Sequence, residues 1–222
     1  MLQQVALGLG DLREDMVFVG GAVTELYADD PAASDIRPTI DVDCVVELGT
    51  QKAYYELEKD LRKRKFANDI TQGAPICRWI YDGIIVDIMP IDSDILGFGN
   101  QWYKAGVDRK IVRNLPDGTS IYVFSVEYFL ATKFEALIGR GGKDLRLSHD
   151  FEDIVYVLDN CIKIEEIILI SEDNELLNYF KEVFGKLILN SNIEESVHCV
   201  LPLNTDDDRV EYIVNKMIRF SK

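Results

Sequence analysis

The spacing of apolar and polar residues predicts short strands and helices in the first part of the chain. Residues 2–9 have helical spacing, and the apolar segment MVFVGG predicts a brief strand that ends at two glycines. AVTELYA then predicts the start of a helix, whereas the proline and small polar residues of DPAASDIRP predict a loop. The chain is therefore expected to open with a helix and then a strand, a glycine pair and a second helix.

The next segments predict a sheet with two hairpins. TIDVDCVVEL alternates as a strand does, and Thr50 is then expected to cap the helix QKAYYELEKDLRKRKF. Asp82-Gly83 separates two β-rich segments and is the strongest hairpin signal in the chain. A second pair of strands is expected around Pro116-Asp117-Gly118.

The second half of the chain has mainly helical spacing. Ser125 is expected to cap a helix from Val126 to Ile138, a break is expected at Gly139 to Gly142, and HDFEDIVYVLDN resumes a helix. Strands early and helices late indicate an α+β fold with a mixed sheet flanked by helices. We expect a core in residues 1–124 and a helical C-terminal region, packed on the core, in residues 125–222.

Composition narrows the classes of partner. Among 222 residues, 24 Lys and Arg against 39 Asp and Glu give a formal charge of −15, which disfavours a long polyanion such as a DNA duplex. No long apolar run predicts a membrane span, and the amino terminus lacks the pattern of a cleavable signal, so a cytoplasmic protein is expected. The four cysteines lack the close spacing of zinc sites and are expected to be reduced and mostly buried.

Three aspartates in predicted strands are candidates for a metal site. Side chains at positions i and i+2 of a strand share a face, so Asp41 and Asp43 should point the same way while Val42 and Cys44 point into the core. Two neighbouring carboxylates repel each other unless a cation neutralises them. Asp87 interrupts another apolar strand and could face the same point, and three oxygen ligands suit magnesium. The alternative is that these carboxylates simply face water.

Gly20 and Gly21 are candidates for binding phosphate. They end a predicted strand and open a predicted helix, where backbone amides and the positive helix terminus would favour a triphosphate. A glycine pair at a strand end is also commonly only a turn. The order of the motifs raises the odds of the functional interpretation: a glycine pair, an acid-x-acid strand and then a later acidic strand.

This order resembles the DNA polymerase beta superfamily of nucleotidyltransferases, and in particular its AbiEii/AbiGii family. The resemblance covers about residues 17–160. It includes FVGGAVTELYA, RPTIDVDCVVEL, GAPICRWIYDGIIVDIMPID and the long segment from 130 to 158. The residues that match the family's motifs are Arg37, Thr39, Asp41, Asp43, Lys133, Arg140, Asp150 and Asp153.

The resemblance implies a magnesium-dependent transfer of a nucleoside monophosphate from an NTP to a hydroxyl group. Asp41, Asp43 and Asp87 would hold two Mg²⁺ ions, and Asp87 would help to remove the proton of the acceptor. The residues implied in binding the nucleotide are Gly20, Gly21, Thr39, Lys133 and Arg140, and Asp150 is implied as a further catalytic residue.

The acceptor and the biological role stay open at this point. Members of the family are linked to phage defence and to toxin–antitoxin pairs, so the resemblance implies an RNA, protein or small-molecule acceptor and a cognate antitoxin as partners. The alternatives are a catalytically silent nucleotidyltransferase-like protein with a binding or regulatory role and, last, a metal-dependent nuclease, which leaves the glycine pair without a purpose.

Overall fold

A computed structural model describes residues 1–141 and 144–222 of the chain. These residues form two compact units. The first consists of Met1–Leu26 with Arg37–Tyr128, and the second of Tyr27–Ile36 with Phe129–Lys222. The segment Tyr27–Ile36 thus belongs with residues that lie about one hundred positions later in the chain.

The first unit contains a mixed sheet of seven strands in the order β3-β4-β5-β2-β1-β7-β6. The strands are β1 Met16–Val19, β2 Asp41–Val46, β3 Ala67–Asn68, β4 Arg78–Tyr81, β5 Ile84–Pro90, β6 Lys110–Asn114 and β7 Ser120–Phe124. The pairs β2–β5 and β1–β7 are parallel, and the other neighbours are antiparallel. The predicted α+β class with a mixed sheet flanked by helices is confirmed.

The helices of the first unit follow the predicted spacing in most places. They are α1 Leu2–Leu9, α2 Gln51–Lys63, α3 Ser93–Leu96, α4 Tyr103–Asp108 and the first residues of α5 Val126–Gly139. The predicted cap of α2 is present, because the side chain of Thr50 accepts a hydrogen bond of 3.1 Å from the backbone N–H of Ala53. The expected helix in AVTELYA is a 3-10 helix, Gly21–Tyr27, and a second 3-10 helix spans Gly10–Asp15.

Both predicted hairpins are confirmed. Asp82 and Gly83 have φ angles of 49° and 79°, as a two-residue type I′ turn requires, and they join β4 to β5. The turn before β7 contains Gly118 at φ 85°, and β6 and β7 pair antiparallel. The first turn fixes the register of β4 and β5, because the residues on either side of a two-residue turn must face each other.

The core of the first unit lies around the central strands. All four residues of β1 are buried, and Val42 and Cys44 of β2 are fully buried as the alternation predicted. Cys77 is also buried, and burial together with the charge of Asp87 raises the pKa of its thiol to about 12. Burial, with a smaller contribution from Asp43, likewise raises the pKa of Cys44 well above its ordinary value. These thiols are therefore protonated and inert at neutral pH.

The second unit is helical. Its elements are the rest of α5, a 3-10 helix Leu145–Leu147, α6 His149–Asn160, α7 Ile164–Leu169, α8 Asn174–Ile188, α9 Ile193–Val200 and α10 Asp207–Phe220. Helix α5 ends at Gly139, one residue later than predicted, and the last residue of the predicted break, Gly142, lies outside the described residues. Cys161 is buried and Cys199 is exposed, and all four cysteines of the chain are free thiols.

Aromatic side chains fill the interior of this second unit. The ring of Phe184 lies 4.8 Å from that of Phe134, 5.8 Å from that of Phe180 and 5.2 Å from that of Phe220. Helix α6 is almost entirely buried, and Ser148 caps its start by accepting a hydrogen bond from the backbone of Phe151. Among the helices in the described ranges, none combines the length and apolar character needed to cross a membrane.

Candidate metal centre

Three carboxylates converge on one face of the sheet in the first unit. Strands β2 and β5 are parallel neighbours, and their register places Asp43 beside Asp87. Asp41 precedes Asp43 by two positions and therefore shares its face. One ligand oxygen from each aspartate lies within 4.8 Å of the other two. The sequence prediction that Asp87 faces the same point as the pair on β2 is confirmed.

These aspartates lie at the boundary between the core and the solvent. Asp41 and Asp43 are half-buried and Asp87 is buried, with 8% of its surface exposed. The hydroxyl of Thr39 donates a hydrogen bond of 2.8 Å to Oδ1 of Asp41, which orients that carboxylate. Thr39 was predicted to bind the nucleotide, and its direct contact in the structure is with a carboxylate of the metal centre.

Gly20 is in direct contact with the carboxylate of Asp43. It follows β1 with φ 72°, and an added Cβ atom would lie 1.9 Å from Oδ2 of Asp43. No side chain fits at that distance, so glycine is needed both for the backbone angle and for the close approach. Gly21 lies beside Thr39 and Arg37, whose Oγ1 and Nη2 atoms would be 3.5 and 3.4 Å from an added Cβ. The predicted glycine pair therefore lies against the carboxylates rather than in a distant turn.

One part of the reasoning about the glycine pair is wrong. The element that starts at Gly21 is a 3-10 helix of seven residues and not a regular α-helix. A segment this short does not align enough peptide dipoles to give a strong positive terminus, so the dipole adds little to phosphate binding here. Of the predicted cradle, the structure retains the close approach of Asp43 to Gly20 and of Arg37 and Thr39 to Gly21.

Arg78 is a member of the site that the sequence interpretation missed. It lies on β4 directly opposite Asp87, and its Nε and Nη2 atoms donate hydrogen bonds of 2.9 and 2.8 Å to the two oxygens of that carboxylate. This two-pronged hydrogen bond raises the pKa of Arg78 above its already high value, and the nearby charge of Asp41 adds to the effect. The guanidinium is a permanent positive charge in the centre.

The charges of the centre fit a divalent cation. Three carboxylates and one guanidinium give a formal charge of −3 plus +1, or −2. All the oxygens that converge are carboxylate oxygens, which are the ligands that Mg²⁺ and Mn²⁺ prefer. The close spacing of like charges is costly without a cation, and Arg78 offsets only part of that cost. The three carboxylates could therefore hold a metal ion.

The other predicted site residues lie in the second unit, where they form ion pairs. Nζ of Lys133 lies 2.5 Å from Asp153 and 3.7 Å from Asp150. Arg140 also contacts Asp150, at 2.5 Å, although 73% of its side chain is exposed. The side chains of Lys133, Asp150 and Asp153 are at most 9% exposed. The structure thus joins these four residues, which we call the Lys133 cluster, by short contacts within the helical unit.

Comparison with known proteins supplies no family for this chain. No family model matches it. A search of curated proteins likewise finds no match. The function must therefore be argued from the geometry and chemistry of the site.

Proposed function

We propose that the chain is a divalent-cation-dependent nucleotidyltransferase, which moves a nucleoside monophosphate from an NTP to a hydroxyl group of an acceptor. The observation that carries this proposal is the convergence of Asp41, Asp43 and Asp87 beside Gly20. The order of these residues along the chain supports it, because it resembles that of AbiEii/AbiGii nucleotidyltransferases. Phage defence or a toxin–antitoxin pair is the biological setting that this resemblance implies.

Asp41, Asp43 and Asp87 would hold the cation. A bound Mg²⁺ would supply the positive charge that offsets the negative charge of the phosphates. The three aspartates and Arg78 together carry a formal charge of −2, and the guanidinium of Arg37 adds a positive charge beside Gly21. A second ion, which the resemblance implies, would need the further negative charge that a triphosphate brings.

The transfer itself forms one bond and breaks another. The hydroxyl oxygen of the acceptor bonds to the α-phosphorus, the bond from that phosphorus to the oxygen bridging to the β-phosphate breaks, and pyrophosphate leaves. The proton of the hydroxyl goes to Asp87. Arg78 engages both oxygens of Asp87, but a carboxylate oxygen has two lone pairs, so each oxygen retains acceptor capacity.

The remaining residues of the first unit position these groups. Thr39 fixes the carboxylate of Asp41 through its hydrogen bond, and Gly20 leaves the space that Asp43 occupies. Gly21 is half-buried, and the Nη2 atom of Arg37 beside it could donate to a phosphate. Thr39 and Gly20 thus fix the positions of the carboxylates, and a triphosphate can react only if these groups are held in place.

Lys133, Arg140 and Asp150 are implied by the resemblance to act on the nucleotide. The buried contacts of the Lys133 cluster explain a lysine in an apolar helix without any bound nucleotide, because an unpaired buried charge would be costly. A variant without the lysine should lose stability if the residue holds the fold, and transfer activity alone if it acts on the nucleotide.

The proposal is tested by transfer of label from NTPs that carry radioactive phosphorus at the α position. Purified protein is incubated with Mg²⁺, each NTP in turn, and total RNA or cell protein as acceptor. The wild type is expected to label RNA or protein, and the double variant Asp41→Ala with Asp43→Ala is expected to label neither. Asp15→Asn is the matched control, because Asp15 is exposed in the same unit and should leave labelling unchanged.

Two outcomes would contradict the proposal. Equal labelling by the wild type and the double variant would show that the carboxylates are not the reacting centre. Absence of label with all four NTPs, in a protein that binds neither Mn²⁺ nor nucleotide by calorimetry, would favour a catalytically silent protein with this fold.

A further inference from the structure

The pairing of Arg78 with Asp87 has a specific geometry. Both carboxylate oxygens accept a hydrogen bond from the same guanidinium, at 2.9 and 2.8 Å, and the two residues face each other across β4 and β5. Only 12% of the side chain of Asp87 and 26% of that of Arg78 are exposed. A pair so placed is screened less by salt and water than an ion pair at the surface.

This geometry sets a competition within the metal centre. A cation held by Asp41, Asp43 and Asp87 would lie close to the guanidinium that already engages Asp87. The two positive charges repel each other, and the half-buried position strengthens that repulsion. Asp87 would bind the cation through lone pairs that its hydrogen bonds to Arg78 leave unused, so both cations would share one carboxylate. The guanidinium therefore offsets part of the attraction that three carboxylates would otherwise exert on a divalent ion.

We infer that Arg78 acts as a built-in counter-ion. Its guanidinium stabilises the carboxylates when no metal is bound, and the centre binds a cation tightly only when a polyphosphate binds as well. This inference rests on the proposed function in one respect, which is that the polyphosphate is the triphosphate of an NTP. A triphosphate brings negative charge that offsets the repulsion between cation and guanidinium, and it offers the guanidinium a second partner with the same two-pronged geometry. Arg78 is thus a positioning residue that acts through Asp87.

A purely structural role for Arg78 predicts the opposite effect on metal affinity. If the guanidinium only held Asp87 in place, its removal would disorder a ligand and weaken cation binding. If it is a counter-ion, its removal makes the formal charge of the centre more negative by one and strengthens cation binding. The sign of the change in affinity therefore separates the two roles.

The experiment titrates Mn²⁺ alone into the full-length wild type, Arg78→Gln and Arg78→Lys by calorimetry. We expect Arg78→Gln to bind Mn²⁺ at least about tenfold more tightly than the wild type, since a neighbouring positive charge has been removed. Arg78→Lys keeps the charge but not the fork of two donors, and its affinity is expected to stay close to that of the wild type. Circular dichroism and thermal unfolding verify that each variant is folded.

A second titration repeats these measurements with inorganic tripolyphosphate, after subtraction of the Mn²⁺ that tripolyphosphate binds in buffer. Tripolyphosphate is expected to increase the Mn²⁺ affinity of the wild type, and to increase that of Arg78→Gln by a smaller factor, because binding of the two ligands is coupled through the guanidinium. Unchanged or weaker Mn²⁺ binding by folded Arg78→Gln would overturn the inference, even in a protein that transfers nucleotides. If Arg78→Gln binds Mn²⁺ more tightly but the wild type transfers no nucleotide, the counter-ion role is supported and only the proposed reaction is contradicted.

Discussion

Gly20→Ala is expected to remove most of the cation affinity and the transfer activity while the protein stays folded. The new Cβ atom would lie 1.9 Å from Oδ2 and 2.8 Å from Cγ of Asp43, so the carboxylate must turn away from the other two. Displacing a reacting group by about 1 Å can cost about 100-fold in rate, and here the displaced group is a metal ligand. Calorimetry with Mn²⁺ and initial rates of label transfer measure the two losses.

Gly118→Ala is the matched control for this variant. Gly20 and Gly118 both have positive φ angles, 72° and 85°, but an added Cβ at Gly118 would meet no atom within 4 Å. The backbone strain of a non-glycine residue at such an angle is about 1–2 kcal/mol, and both variants should lose about that much stability. Only Gly20→Ala should also lose Mn²⁺ binding. Normal Mn²⁺ affinity in Gly20→Ala would show that Asp43 is not needed as a ligand.

Lys133→Met is expected to lower the free energy of unfolding by about 3–5 kcal/mol, which is the usual cost of removing one partner from a buried ion pair. Methionine fills a similar volume but leaves Asp153, whose side chain is 1% exposed, without the ammonium that lies 2.5 Å away. Asp150 would lose the same charge at 3.7 Å. Urea denaturation followed by circular dichroism measures the change.

Two further variants test the interpretation of Lys133. Arg140→Met removes a charge that also contacts Asp150, but 73% of its side chain is exposed, so a loss of no more than about 1 kcal/mol is expected. Adding Asp153→Asn to Lys133→Met should recover part of the stability, because it removes the buried charge that lost its ammonium partner. If Lys133→Met unfolds at the same urea concentration as the wild type but loses transfer, the lysine acts on the nucleotide rather than on the fold.

Arg78 shows how much of the site was already contained in the sequence. A two-residue turn at Asp82-Gly83 places residues opposite each other when their numbers sum to 165, and this rule pairs Arg78 with Asp87. The sequence analysis predicted this turn, but it did not use the register of the turn to identify Arg78 as the partner of Asp87. The same local rules, alternation on β2 and the glycine pair after β1, predicted Asp41, Asp43 and Gly20.

Other features depend on contacts between distant segments and could not be predicted from local patterns. Pairing of β1 with β7 joins residues about one hundred positions apart, and no turn sets its register. The sequence predicts a loop in DPAASDIRP, residues 30–38, and only the folded chain shows that Tyr27–Ile36 belongs to the second unit. The sequence also does not distinguish a 3-10 helix from an α-helix at Gly21–Tyr27. In so short a segment, the spacing of the apolar residues fits either type of helix.

Pyrophosphate release tests the central claim most directly, because it accompanies every nucleotidyl transfer whatever the acceptor. Purified protein is incubated with Mg²⁺, the four NTPs together and total RNA and protein of a bacterial cell, and pyrophosphate is measured over time. We predict steady release by the wild type and by Asp15→Asn, and none above background by Asp41→Ala with Asp43→Ala. Equal release by the wild type and the double variant, or no release by a wild type that binds Mn²⁺, would contradict nucleotidyl transfer at this centre.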